Sequence, residues 1–254
     1  MKHYIDIDNN YGWTNMDNTK LKAVILCGGL GTRLRPYTLF VPKPMLPLAE
    51  KPLLQYIIEW LNKNGISEIV LSVGYLRKSI EDYFEDGHDL NVKIDYVKQS
   101  GPLGTAGQLK EVESHLNSRF ICVYGDSFYN FDINKAVSAH INNNSLATVI
   151  LKKYSTALKY GFLETDSSGA IKKWLEKPEY EGLINIGCFI MEPEFLKYIP
   201  EKKMYGMDIA FRTAIDAKEK IFGYQTDGEF IDLGDMESYE QTNQLFTSRL
   251  GKIL

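Results

Sequence analysis

The sequence predicts an α/β fold: a doubly wound, mixed but mainly parallel sheet flanked by helices, continuing into a more antiparallel half. Three observations predict it. Short, β-branched apolar runs alternate with segments of helical period over the first half of the chain. After residue 145, strand-like runs follow one another in quick succession. The 254 residues are 44% hydrophobic, enough to fill the core of one large α/β unit.

Residues 1–20 are polar and rich in Asn, with no signal-type apolar stretch, and read as a loosely held extension. The single domain is expected over 21–254, with no repeat that would indicate an appended β-helix. "KAVILC" (22–27), "SEIVLSV" (67–73), "VKIDYV" (92–97) and "RFICVYG" (119–125) suit strands buried on both faces. "PLLQYIIEWLNKNG" places Leu54, Ile57, Ile58 and Leu61 at helical spacing and stops at Gly65. "RKSIEDYFEDG" repeats the scheme with Ile80, Tyr83 and Phe84. "LATVILKKY", "GFLETD", "AIKKWLEK" and "INIGCFIM" read as strands, with "DSSG" (166–169) a hairpin turn. Helices are expected near 207–218 and from about 235, the last capped by Asp235.

The formal net charge of −4 argues against a nucleic-acid partner, which calls for a basic face. No apolar run approaches the roughly 20 residues that span a bilayer, so no membrane partner is expected. Cys27, Cys122 and Cys188 each sit inside an apolar run; an odd count on buried strands suits reduced thiols and a cytoplasmic location. The four histidines fall in no motif and read as surface residues.

"LCGGLGTRLRP" (26–36) follows the first strand directly. It lacks the Gly-Lys-Ser/Thr ending of a P-loop, and counted from Gly29 its sixth place is Leu34, which fails the dinucleotide fingerprint. What remains is a loop whose glycines admit a triphosphate close to the backbone, with Arg33 and Arg35 to meet anionic oxygens. "PKPMLP" (42–47) follows, three prolines holding an extended segment that presents Lys43. A second small-residue loop, "QSGPLGTAG" (99–107), enters a helix whose free amides could cradle a base edge or phosphate. Asp126 in "VYGDSF" and Asp232 in "EFIDLGD" each follow an apolar strand, where open sheets hold ligands. Magnesium favours one or two carboxylates plus phosphate oxygens, so a converging pair is what such chemistry needs.

"GGLGTRLRPYT" followed by "PKPMLPL" resembles the signature of the sugar-1-phosphate nucleotidyltransferases, and the resemblance runs from Leu21 to the C-terminus. It implies a Rossmann-like domain that joins a nucleoside triphosphate to a sugar 1-phosphate and releases pyrophosphate. It implies nucleotide-binding roles for Leu26, Gly28, Gly29, Gly31, Thr32, Arg33, Gln99, Gly104 and Thr105, with Gln99 reading the base and Gly104 letting it approach. Asp126 and Asp232 would hold Mg²⁺, and Arg33, Lys43, Asp126, Lys177 and Asp232 would form the catalytic set. Tyr160, Gly161, Glu176, Lys177 and Asn185 would bind the sugar phosphate.

The stretch "PLGTAG" looks more like the guanylyl-transferring members, and "INIGCFIM" resembles the mannose- and heptose-1-phosphate enzymes. "MYGMDIAF" (204–211) departs from the mannose pattern, so thymidylyl, uridylyl or cytidylyl transfer to glucose or an amino sugar stays open. A glycosyltransferase would need Asp-x-Asp where this chain has "GDSF". A regulatory nucleotide-sugar-binding subunit would have lost members of the catalytic set, all of which are present. The sequence is compatible with a homo-oligomer.

Overall fold

The computed structural model describes residues 21–250; the extension read at 1–20 lies outside them. In chain order the elements are β1 (Lys22–Cys27), β2 (Pro47–Leu48), β3 (Lys51–Pro52), α1 (Leu53–Lys63), β4 (Glu68–Val73), α2 (Arg77–Phe84), β5 (Lys93–Lys98) and α3 (Gly104–Glu111). They continue with β6 (Phe120–Tyr124), β7 (Ser127–Asn130), α4 (Ile133–Asn142), β8 (Ala147–Ala157), β9 (Phe162–Thr165), β10 (Ile171–Leu175) and β11 (Glu179–Met191). Helix α5 (Met207–Asp216), β12 (Ile221–Gln225), β13 (Glu229–Asp232) and α6 (Met236–Leu250) complete the fold.

Seven strands form one sheet in the order β12-β8-β11-β6-β1-β4-β5. Every neighbouring pair is parallel except the two that β11 makes, with β6 and with β8. The chain winds outward from β1 through β4 to β5 and then returns to lay β6 on the other side of β1. That reversal opens a crevice beyond the carboxyl ends of β1 and β6, the place where such sheets bind ligands.

The apolar runs explain why β1, β4 and β6 are interior, whereas β5, expected to be buried on both faces, lies at the sheet edge with Lys93 and Lys98 exposed. On β1, Ala23, Ile25 and Cys27 pack into one core cluster and Val24 and Leu26 into the other, so both faces are covered. The first cluster holds Leu54, Ile57, Ile58 and Leu61 of α1, all fully buried as their helical spacing predicts. The second is built from α3, α5 and the residues around Phe195. The three cysteine thiols are free and buried, and burial pushes each of them up from its ordinary value. No helix among the described residues is long and apolar enough to cross a membrane.

Three local expectations need correction. Tyr83 lies at the edge of the α2 stripe, not within it, and is 51% exposed, its hydroxyl donating to Gln55 at 2.9 Å. The segment around Lys43 is not extended throughout; Lys43–Met45 makes one 3₁₀ turn, closed by Met45 N–H on the Pro42 carbonyl at 2.7 Å. His140 is fully buried in α4, with Nδ1 2.8 Å from Thr148 Oγ1 and Nε2 3.2 Å from Glu192 Oε1.

The later half is antiparallel where expected. β9 and β10 form a hairpin, and at its turn Asp166 Oδ1 accepts the N–H groups of Ser168 and Ala170 at 2.9 and 3.1 Å. Strands β8 and β11 pair over a long ladder whose register shifts between Asn185 and Phe189. Within that shift Gly187 takes φ 71°, and a Cβ there would stand 2.5 Å from the Tyr124 ring. The strand bends around the aromatic ring only because that atom is missing. Gly187→Ala is expected to lower folding stability by about 1–3 kcal/mol, measured by urea unfolding, because it combines left-handed backbone with a ring clash.

Candidate active site

The glycine-rich loop leaves β1 and folds back at once. Thr38 Oγ1 donates to the Gly31 carbonyl at 2.8 Å, Leu34 N–H donates to the same oxygen at 2.9 Å, and the Leu34 side chain is buried beneath. This leaves Thr32 and Arg33 on the open side of the turn. Lys43, only 7% exposed, extends Nζ to Asp126 Oδ2 at 2.7 Å. Asp126 stands between β6 and β7, so it caps no helix.

Strand β13 runs antiparallel to β7 with Asp232 opposite Ser127. That register brings the second carboxylate beside the first. Burial pushes the Asp232 carboxyl up from its ordinary value and the Asp126 carboxylate pushes it further, while Lys43 and Arg33 pull it down. A Cβ on Gly234 would be 2.9 Å from Asp232 Oδ2 and 3.4 Å from an Arg33 terminal nitrogen, so the arginine and this carboxylate flank the same glycine. Asp235 instead caps α6, its Oδ1 accepting Ser238 N–H at 2.9 Å.

A cavity of about 320 Å³ opens among these groups, lined by Leu26, Cys27, Gly29, Gly31, Thr32, Arg33, Lys43, Pro44, Thr105, Gln108, Tyr124, Asp126 and Gly234. Its chemistry suits a polyphosphate: two cations on one wall, backbone amides of a glycine loop, and a carboxylate pair alongside. Two carboxylates placed together and partly desolvated repel each other until a cation joins them. The donor set is all oxygen, which fits a hard divalent ion supplemented by phosphate oxygens.

Some expected residues stand elsewhere. Gln99 does not line the cavity; its Nε2 donates to Ser72 Oγ at 3.3 Å. Gly28 faces inward, its N–H donating to Gln108 Oε1 at 3.2 Å. The amides at the start of α3, expected to be free, are partly taken: Ala106 and Gly107 both donate to the Tyr205 carbonyl, at 3.0 and 3.2 Å. Gly104 has φ 68°, and its missing Cβ would lie 2.7 Å from that same carbonyl oxygen, so the protein's own backbone requires glycine there.

Tyr160, Gly161, Glu176 and Lys177 gather at the turns between β8 and β9 and between β10 and β11, outside the cavity. Tyr160 is 81% exposed, Lys177 is exposed with φ 43°, and Glu176 Oε2 accepts from the Trp174 indole at 3.3 Å. Asn185 also lies outside the cavity, two residues before the Gly187 bend against Tyr124, and its Oδ1 accepts Gly187 N–H at 2.9 Å. Gln108, Tyr124 and Gly234 are wall residues that sequence reasoning missed. The signal for Gln108 was an amide within the buried run Ala106 to Leu109.

Cations and carboxylates meeting beyond the carboxyl ends of parallel strands, at a switch point, define the class: a Rossmann-like α/β protein that handles phosphate esters. The chain belongs to the nucleotidyl transferase family, whose profile matches residues 22–249.

It is 33% identical to the D-glycero-alpha-D-manno-heptose 1-phosphate guanylyltransferase of Campylobacter jejuni, over 86% of this chain and 97% of that protein. It is 34% identical to the UTP–glucose-1-phosphate uridylyltransferase of Synechocystis over 90% of this chain, yet spans only 64% of that longer protein. Among solved structures, that of HddC from Yersinia pseudotuberculosis complexed with GMP-PN superposes with a TM-score of 0.72 at 28% identity, covering 89% of this chain and 99% of that one.

An acid held above its unfolded value of 3.8 costs stability once pH rises past that value and the folded carboxyl is made to ionise. Asp232→Asn is therefore expected to raise the melting temperature of the metal-free protein by a few degrees at pH 7. The gain should vanish below pH 3.8, where the wild-type carboxyl is protonated in both states.

Proposed function

We propose that this protein transfers a nucleotidyl group from a nucleoside triphosphate to a sugar 1-phosphate, giving a nucleoside-diphosphate sugar and pyrophosphate. The observation that carries the reading is the convergence of Arg33, Lys43, Asp126 and Asp232, from separate segments of the chain, beside one cavity at the β1–β6 switch point. The best-supported substrates are GTP and a mannose- or heptose-type 1-phosphate. The match to a heptose 1-phosphate guanylyltransferase over nearly its whole length supports that choice.

In this reaction a phosphate oxygen of the sugar phosphate attacks the α-phosphorus of the triphosphate in line. The new P–O bond forms as the bond to the β-phosphate's bridging oxygen breaks, and the electron pair leaves with pyrophosphate. The second pKa of a phosphate monoester is about 6, so the nucleophile is already ionised and needs no general base. The barrier is the meeting of two anions, and positioning with charge neutralisation lowers it.

Gly29, Gly31 and Thr32 seat the triphosphate, Arg33 stabilises the departing pyrophosphate, and Lys43 neutralises charge at the α-phosphate. Asp126 and Asp232 hold a divalent cation, Mg²⁺, which when bound supplies further neutralisation of the phosphates. Lys177 holds the sugar phosphate, while Tyr160, Gly161, Glu176 and Asn185 frame the sugar. Leu26 and Thr105 frame the nucleoside from the cavity wall, with Gly28, Gln99 and Gly104 packed behind it.

Incubation with each nucleoside triphosphate against a panel of sugar 1-phosphates should release pyrophosphate fastest with GTP and a manno-configured partner; release from no pair would refute the reading. Arg33→Ala should lower kcat by about 100-fold or more with an unchanged melting temperature. Asp126→Ala should abolish magnesium-dependent pyrophosphate release, and turnover that persists in the presence of a chelator would contradict the metal assignment.

A further inference from the structure

Resting on the nucleotidyl-transfer reading, we infer that Gln108 selects the base, its side-chain Nε2 donating to the exocyclic carbonyl oxygen of a keto base. Gln108 is 8% exposed and lines the cavity with Thr105 from α3; the charged lining residues, Arg33, Lys43 and Asp126, all come from other segments. The cations gather at the other polar groups, Lys43 on Asp126 and Arg33 beside Gly234. The polyphosphate belongs with them, which leaves the α3 wall to the nucleoside.

The orientation of this amide is settled by its partner. Gly28 offers only an N–H, so the atom 3.2 Å away must be the carbonyl oxygen of Gln108. Flipping the amide would set two donors against each other at the mouth of the phosphate loop. Nε2 is therefore the group left for a ligand: it has no acceptor among the described residues, and it is not sealed from solvent. Behind it, Ser72 Oγ donates to the Gln108 main-chain carbonyl at 3.5 Å and accepts from Gln99 Nε2 at 3.3 Å. Gln99, packed against the Cα of Gly28 and off the cavity, thus backs the base-reading group from behind.

A fixed donor distinguishes bases by sign. Guanine O6, or O4 of uracil or thymine, accepts from it, whereas the amino group of adenine or cytosine meets it donor to donor. Leaving a buried donor unpaired is the mismatch that costs most in such sites.

Equilibrium binding to the whole protein, without sugar 1-phosphate, tests this apart from catalysis. Inosine triphosphate keeps O6 and should bind within about threefold of GTP, whereas 2-aminopurine riboside triphosphate and ATP, which lack it, should bind about tenfold or more weakly. Gln108→Glu keeps an oxygen for Gly28 and removes the donor, so the ratio of GTP to 2-aminopurine triphosphate affinity should collapse towards one. Wild-type protein that binds the 2-aminopurine nucleotide as tightly as GTP would overturn the inference even if the variant does not fold. So would a preference that survives in folded Gln108→Glu but is lost in Gln99→Leu. Selective GTP binding without pyrophosphate release from any sugar 1-phosphate would instead refute the proposed reaction and leave the role of Gln108 supported.

Discussion

The contact between Lys43 and Asp126 holds the site together. It spans 83 residues of sequence and closes at 2.7 Å with the lysine almost wholly buried. A lysine in that position is costly unless a carboxylate meets it, and two adjacent carboxylates are costly unless a cation lies between them. Each group therefore makes the others tolerable. The ion pair joins the segment after the glycine-rich loop to the end of β6, across the gap where the sheet reverses its winding. Arg33 and Asp232 join the same balance beside Gly234.

Much of the fold was legible because its signals are local. β1 came out at the residues read for it, since an apolar run with both faces covered leaves no ambiguity of period. The α1 stripe and the hairpin turn at Asp166 were equally plain, each resting on neighbours a few residues apart. What escaped was decided at long range. His140 is buried because Thr148 and Glu192 come to meet its two ring nitrogens, and nothing in its own helix announces them. The start of α3 reads as a free cradle, but a carbonyl from Tyr205, about a hundred residues further on, occupies two of its amides.

The site divides along the same line. The glycine-rich loop, Lys43 and Asp126 could be read from motif and placement at strand ends. The proximity of Asp232 to Asp126 depends on the register of β13 against β7, a two-stranded pairing that the sequence does not advertise. Gln108 was invisible as a wall residue because an amide inside an apolar helix reads as an imperfection of the pattern until its partner, Gly28, is known. The residues assigned to the sugar stand apart from the cavity, on turns whose position follows from the reach of β8 and β11 and not from any short-range signal.

Strand β11 is the one strand of the large sheet that runs against the rest, and its two ends live in different worlds. From Ile186 to Met191 it is interior, and Cys188–Met191 pair with β6; from Glu179 to Leu183 it projects into solvent beside β8. A cantilever of this kind separates tolerance from constraint. Its tip can lengthen, shorten or change residues at little expense to the foundation, because no buried packing of the sheet depends on the side chains there.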